Sequence, residues 1–166
     1  MNTGNEQKYS ILLVDDNPQN LTALSRILTE QGYHVRTAIN GQVALKSVQN
    51  MLPDLILLDI RMSGMDGYEV CRQLKGDEAT REIPVLFLSA LDAPVDKVKA
   101  FEVGGVDYIT KPFQPDEVVA RVETHITLRT MQRRLQAQNR ELEGYRDHLE
   151  DLVKTRTAEL TETNEH

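Results

Sequence analysis

Pro53-Asp-Leu-Ile-Leu-Leu-Asp59 is a short apolar run that stops at a carboxylate, and it decides the fold. Two further stretches have the same form. Ser10-Ile-Leu-Leu-Val-Asp15 also stops at a carboxylate, and Pro84-Val-Leu-Phe-Leu-Ser89 stops at a hydroxyl. Continuous apolar character over so few residues suits strands buried on both faces, hence a parallel sheet covered by helices. Working outward, Leu21, Leu24, Ile27 and Leu28 have helical spacing, opened by Pro18 and closed by Gly32. A weaker strand at His34 to Ala38 precedes a helix from about Gly41 to Asn50. Tyr68, Val70, Cys71 and Leu74 mark a third helix, and Val95, Val98 and Phe101 a fourth, ended by Gly104-Gly105. Val106 to Thr110 is a last short strand before Lys111-Pro112. Strand and helix alternating five times predict an α/β fold: a doubly wound, five-stranded parallel sheet.

Composition narrows the function classes. The chain has 166 residues, 40% of them apolar and 27% charged, which suits one ordinary domain plus an appendage. Unbroken apolar runs such as Leu55 to Leu58 and Val85 to Leu88 are far short of the roughly 20 residues needed to cross a bilayer, so no membrane span is expected. Met1 to Ser10 is polar and lacks the layout of an export signal, which predicts a cytoplasmic address. A lone cysteine, Cys71, makes neither an internal disulfide nor a zinc site, and reads as a small core or half-buried side chain. The net charge of −7 is uneven: there are 11 basic and 17 acidic side chains through Ala120, then 8 and 9. An acidic domain repels phosphate backbones, so direct nucleic-acid binding is not expected.

After Pro115 the pattern changes. Leu128, Leu135, Leu142 and Leu149 recur every seven residues, with Met131, Gln138, Tyr145 and Leu152 three residues after each. That is an a/d coiled-coil seam of about four heptads on a long C-terminal α-helix. Beyond Leu152 the apolar line shifts to Val153 and Leu160, a four-residue stutter. So narrow a stripe needs a partner helix, and the same helix of a second copy is the simplest one. The expected organisation is a flexible N-terminus at 1–8, a globular domain at 9–124 and a coiled-coil helix at 125–166. We expect that helix to lead on toward an output domain beyond His166.

In a doubly wound sheet the site lies beyond the carboxyl ends of the strands. Strand one ends at Asp15-Asp16, strand three at Asp59, strand four at Ser89 and strand five just before Lys111. Like charges so close raise one another's pKa values unless a cation intervenes, and an all-oxygen cluster prefers a hard divalent ion, with Mg2+ the natural choice. Such an ion can tether a phosphoryl donor beside a carboxylate nucleophile.

Ile11-Leu-Leu-Val-Asp-Asp-Asn17, Leu58-Asp-Ile-Arg-Met-Ser-Gly-Met-Asp-Gly67, Leu88-Ser-Ala90 and Asp107-Tyr-Ile-Thr-Lys-Pro-Phe113 together resemble a two-component response-regulator receiver domain, a flavodoxin-like fold. The resemblance covers roughly Tyr9 to Thr124. It implies that Asp59 is the phosphoacceptor, that Asp15, Asp16 and Asp59 hold Mg2+ together with the backbone carbonyl of Arg61, and that Lys111 contacts the phosphate. It implies Ser89 as a second phosphate contact and, with Tyr108, as a switch pair, and it implies a cis bond at Pro112. The partners implied are a histidine kinase or a phosphotransfer protein upstream, and a homodimer through the C-terminal helix. The protein would be a phosphoacceptor with self-catalysed phosphorylation and dephosphorylation rather than an enzyme. One departure stands out: the family often has proline where Ser63 lies, so the turn after Asp59 would be looser.

Blander readings of the same residues exist. An acidic pair after a strand is often a helix-capping turn, Ser89 could cap the fourth helix, Tyr108 could be ordinary packing, and Lys111 alone would be a surface lysine. Four signals at one sheet edge outweigh them. His125 and His148 lie on the long helix without a phosphodonor context and read as solvated positions. The alternative function is a pseudo-receiver or dimerisation module that is not phosphorylated, and a third is a magnesium hydrolase acting on small phosphates.

Overall fold

The computed structural model describes residues 8–90 and 94–164, with Pro94, Val95, Asp96 and Asn164 described in their backbone alone. Among these, five strands alternate with five helices: β1 (Ser10–Val14), α1 (Pro18–Glu30), β2 (His34–Ala38), α2 (Gly41–Asn50), β3 (Leu55–Asp59), α3 (Gly67–Gly76), β4 (Val85–Ala90), α4 (Pro94–Glu102), β5 (Asp107–Lys111) and α5 (Pro115–Asn164). The sheet order is β2-β1-β3-β4-β5 and each pairing is parallel, so the predicted doubly wound fold is the observed one. Most of the flexible N-terminus expected at 1–8 lies outside the described residues.

Local chemistry starts the helices. Asn17, Asn40 and Asp66 each accept a backbone N–H through the side chain, from Gln19, Val43 and Glu69 respectively, which satisfies donors that a helix start leaves open. Pro18 takes the first position of α1, where no N–H is needed. Gly32, with φ of +91°, turns the chain out of α1 in a conformation that other residues rarely adopt.

Alternation along the strands builds two cores. Leu12, Val14, Ile56, Leu58, Val85 and Phe87 pack on one face with α2 and α3. Ile11, Leu13, Leu55, Leu57, Leu86 and Leu88 pack on the other with α1 and with Val118, Val122 and Ile126 of α5. β1, β3 and β4 are almost wholly buried, as their unbroken apolar runs demand. The spacing that marks α4 does not mark its buried side. Val98 and Phe101 are exposed and Ala100 is buried, because the small side chain lets the helix approach the sheet along the neighbouring ridge; the side chain of Val95 lies outside the described residues.

The fold divides into two units between Thr127 and Leu128. The second is helix throughout its described length, continuing α5 through Gly144 to Asn164, and every side chain from Met131 to Thr163 is exposed. Leu135, Leu142, Tyr145, Leu149 and Leu152 are each more than half exposed in the single chain, an apolar stripe without cover. No described helix is long and apolar enough to cross a membrane.

Candidate functional site

Register sets the site. Val14 pairs with Leu58, so the next residue on each strand, Asp15 and Asp59, meets the other where the connections diverge to opposite faces of the sheet. Asp59 pairs with Leu88 and Ala90 with Lys111, which brings the ends of β4 and β5 to the same edge. A cleft of about 210 Å³ opens there. Its walls include Asp15, Asp16, Asp59, Arg61, Ser89 and Lys111, together with Asn17 and Asn20.

Asp15 is fully buried and Asp59 nearly so, whereas Asp16 is exposed. The Lys111 ammonium lies 3.1 Å from Oδ1 of Asp59 and 3.5 Å from Oδ2 of Asp15. The Lys111 ammonium therefore answers two buried carboxylates at once. Burial pushes the Asp59 carboxyl up, the neighbouring Asp15 raises it further, and Lys111 offsets only part of this, so that its pKa is about 6.

The residues fit a hard divalent cation. One carboxylate oxygen from each of Asp15, Asp16 and Asp59 falls within 4.8 Å of the others, an all-oxygen donor set. Asp15 is held by protein donors: the Asn17 N–H reaches its Oδ1 at 2.9 Å and the Asn20 side-chain amide its Oδ2 at 3.0 Å. Asp16 keeps a carboxylate open to solvent.

The Ser89 hydroxyl also borders the cleft. It is buried, and it has no hydrogen-bond partner among the described residues. A buried hydroxyl in that state carries a desolvation cost that an incoming oxygen acceptor would relieve. Tyr108 is not part of the cleft wall. It sits opposite Phe87 on β5, half-buried, with its ring edge-on to Phe101 at 6.0 Å between centroids and the Lys97 ammonium 4.6 Å above it. The Lys111–Pro112 peptide bond is cis.

Asp15, Asp16, Asp59, Ser89 and Lys111 thus gather at one edge, with Tyr108 behind it. Ser89 lies within β4, at the end of that apolar run as expected. One detail differs from the sequence reading. His125 is not a solvated position: it is half-buried, with Nε2 3.0 Å from Oδ2 of Asp107. Helical spacing from Val118 and Val122 carried that signal, since both turn toward the core from the same helix. Asn20 escaped notice because a lone amide in a helix has no periodic signature.

The family model described as "Response regulator receiver domain" matches residues 11–123. The response regulator PleD of Caulobacter vibrioides is 46% identical over 114 residues, 69% of this chain and 25% of that protein. A Vibrio cholerae protein named "Probable cyclic di-GMP phosphodiesterase" is 39% identical over 163 residues, 94% of this chain and 37% of its own. The solved receiver domain of a signal transduction histidine kinase from Syntrophus aciditrophicus superposes with a TM-score of 0.67 at 39% identity, covering 72% of this chain and 90% of that one. The chain spans only a quarter to somewhat over half the length of the first such curated relatives. With its sheet order, the acidic edge and these likenesses together, the chain belongs to the response-regulator receiver domain family.

Proposed function

We propose that this chain is the phosphoacceptor module of a two-component relay, in which Asp59 takes a phosphoryl group from a histidine kinase or a phosphotransfer protein. The observation that carries the reading is the Lys111 ammonium 3.1 Å from an Asp59 carboxylate that shares its pocket with two more acidic side chains. An Asp59 oxygen attacks phosphorus in line and forms the new O–P bond. The bond from phosphorus to the donor breaks, and its electron pair leaves with the donor. Lys111 answers charge on the transferred group, and the Ser89 hydroxyl donates a hydrogen bond to one of its oxygens. Asp15, Asp16, Asp59 and the backbone carbonyl of Arg61 would hold Mg2+, which when bound neutralises charge and orients phosphate oxygens.

The acyl phosphate adds roughly −1.5 to −2 charges at the sheet edge. Ser89 then moves toward it, Tyr108 turns into the space released, and the surface formed by α4, β5 and α5 changes its population between two arrangements. We assign the receiver to 9–124 and a helical linker to 125–166. The uncovered stripe of Leu128, Met131, Leu135, Gln138, Leu142, Tyr145, Leu149 and Leu152 supports a parallel homodimer through that helix, leading to an output domain. The likeness to the Vibrio cholerae protein runs through this helical segment, which favours a shared linker role. The module itself would act in the cytoplasm, turn over no substrate and touch no nucleic acid.

Incubation with Mg2+ and acetyl phosphate, followed by intact mass, tests the central claim. Wild type should gain one acid-labile phosphoryl group and Asp59→Asn none. A wild type that stays unmodified would leave the pseudo-receiver reading in its place, and rapid multiple turnover of the phosphate donor would favour the hydrolase.

A further inference from the structure

Asn20 is the third residue of α1, half-buried, and its side chain reaches into the cleft from a helix that the phosphorylation chemistry does not otherwise use. Its amide nitrogen lies 3.0 Å from Oδ2 of Asp15, the same oxygen that stands 3.5 Å from the Lys111 ammonium. The other oxygen of Asp15 accepts the Asn17 N–H at 2.9 Å. A fully buried carboxylate thus accepts one hydrogen bond on each oxygen, with the Lys111 ammonium as a longer ion-pair partner of Oδ2, and the Oδ2 hydrogen bond comes from a neutral group at a helix start. The start of α1 is itself anchored here, since Asn17 caps the helix with its side chain while its backbone N–H holds Asp15.

We propose that Asn20 is a positioning residue for cation binding: by donating to Oδ2 of Asp15 it holds that carboxylate facing Asp16 and Asp59, so the three present their oxygens together. Lys111 alone serves this purpose poorly, because its ammonium lies closer to Asp59 and is free to follow a phosphoryl group there. Asn20 lacks charge, so it orients Asp15 without opposing a cation. A helix-capping role does not account for it, because Asn17 already caps α1 by accepting the Gln19 N–H, while the Asn20 amide donates away from the helix to Asp15. Groups that orient a metal's ligands typically change affinity 10- to 100-fold when removed.

The inference rests on the proposed Mg2+ site, and the wild-type arm of the test separates the two. Mg2+ binding is measured by calorimetry on the full chain for wild type, Asn20→Ala, Asn20→Leu and Gln19→Ala. Leucine keeps the branched shape of Asn20, at a somewhat larger volume, without its donor, and Gln19 is an exposed control on the same turn. The Mg2+ dependence of phosphorylation by acetyl phosphate is followed in parallel. Both Asn20 variants should bind Mg2+ about tenfold more weakly, with Gln19→Ala unchanged. The Mg2+ concentration for half-maximal rate should rise to match, while the rate at saturating Mg2+ stays near wild type. Asn20 variants that bind like wild type overturn the inference and leave the proposed function standing. A saturating rate that falls in step with thermal stability, or an equal loss in Gln19→Ala, also overturns it, because that marks a structural role. A wild type without Mg2+ affinity ends both.

Discussion

Arg121 donates from one nitrogen, Nη1, to both carboxylate oxygens of Asp107, at 2.8 and 2.9 Å, and so ties β5 to the opening turns of α5. The Tyr108 N–H donates to the same carboxylate at 2.8 Å, and His125 lies 3.0 Å from it. Burial pushes the Asp107 carboxyl up, but the hydrogen bonds from His125, the Tyr108 amide and Arg121 outweigh it and hold its pKa below the usual carboxylate value. The strand that carries Tyr108 and Lys111 is thereby fastened to the helix that continues into the heptad segment.

Asp107→Asn should therefore destabilise the fold near neutral pH by about 1–2 kcal/mol, the range for a hydrogen bond to a charged group discounted for the partly exposed Arg121. A depressed carboxyl contributes stability that is present above its unfolded pKa, roughly 4, and lost as pH falls through the lower folded value. Urea unfolding at pH 7 and below pH 4 reads this: the gap between wild type and variant should close in acid. A gap that widens in acid contradicts the clamp.

Asp59 behaves with the opposite sign. Its folded pKa of about 6 exceeds the unfolded value, so the ionised form costs stability. Without divalent cation the wild type should lose stability as pH rises from roughly 4 to 6, and hold a constant penalty above that. Asp59→Asn should gain on the order of 1–3 kcal/mol at pH 7.5 in the presence of a chelator, and little below pH 4. Denaturant curves at the two pH values decide it.

Mg2+ itself should stabilise the wild type by mass action, about 1.4 kcal/mol at ten times its dissociation constant. Asp16→Asn should remove that response while changing the metal-free midpoint little, because the side chain is exposed. Thermal scans with Mg2+ and with excess chelator provide the comparison, and a retained Mg2+ shift in the variant would exclude Asp16 as a ligand.

A methyl group at residue 67 would collide with the backbone carbonyl of Asp59, and the Gly67 N–H donates to the Ile60 carbonyl at 2.9 Å. Gly67→Ala should cost about 1–3 kcal/mol as an overpacked contact and move the loop behind Asp59. Stability and the rate of phosphorylation should fall together; a neutral variant would show that α3 can shift freely against β3.

Leu135 and Leu142 occupy successive a positions of the uncovered stripe. Leu142→Asp, or the pair together, should turn a dimer into a monomer by light scattering and reduce helical signal at low concentration, leaving the melting of the sheet domain in place. A wild type that is monomeric at high concentration rules out the self-pairing seam.

Much of this architecture can be read without coordinates. Strands covered on both faces must be apolar throughout, so Leu55 to Leu58 and Val85 to Leu88 declare themselves, and α2 covers the expected Gly41 to Asn50. Side-chain environment is less legible. Val98 and Phe101 have helical spacing yet face outward, and His125 looks polar yet turns inward to Asp107, because each outcome depends on what a neighbouring element offers.

The chain order of strands and helices, and the kinds of group that end each strand, follow from local patterns alone: hydrophobic period and turn chemistry act over a few residues. Which of those ends meet is a long-range matter. Pairing Val14 with Leu58 and Ala90 with Lys111 joins segments tens of residues apart, and that register is chosen by packing both faces of the sheet at once. Only that packing brings Asp15, Asp59 and Lys111 into one cleft, leaves Ser89 beside it without a partner among the described residues, and lets Asn20 of α1 reach a carboxylate at the end of β1.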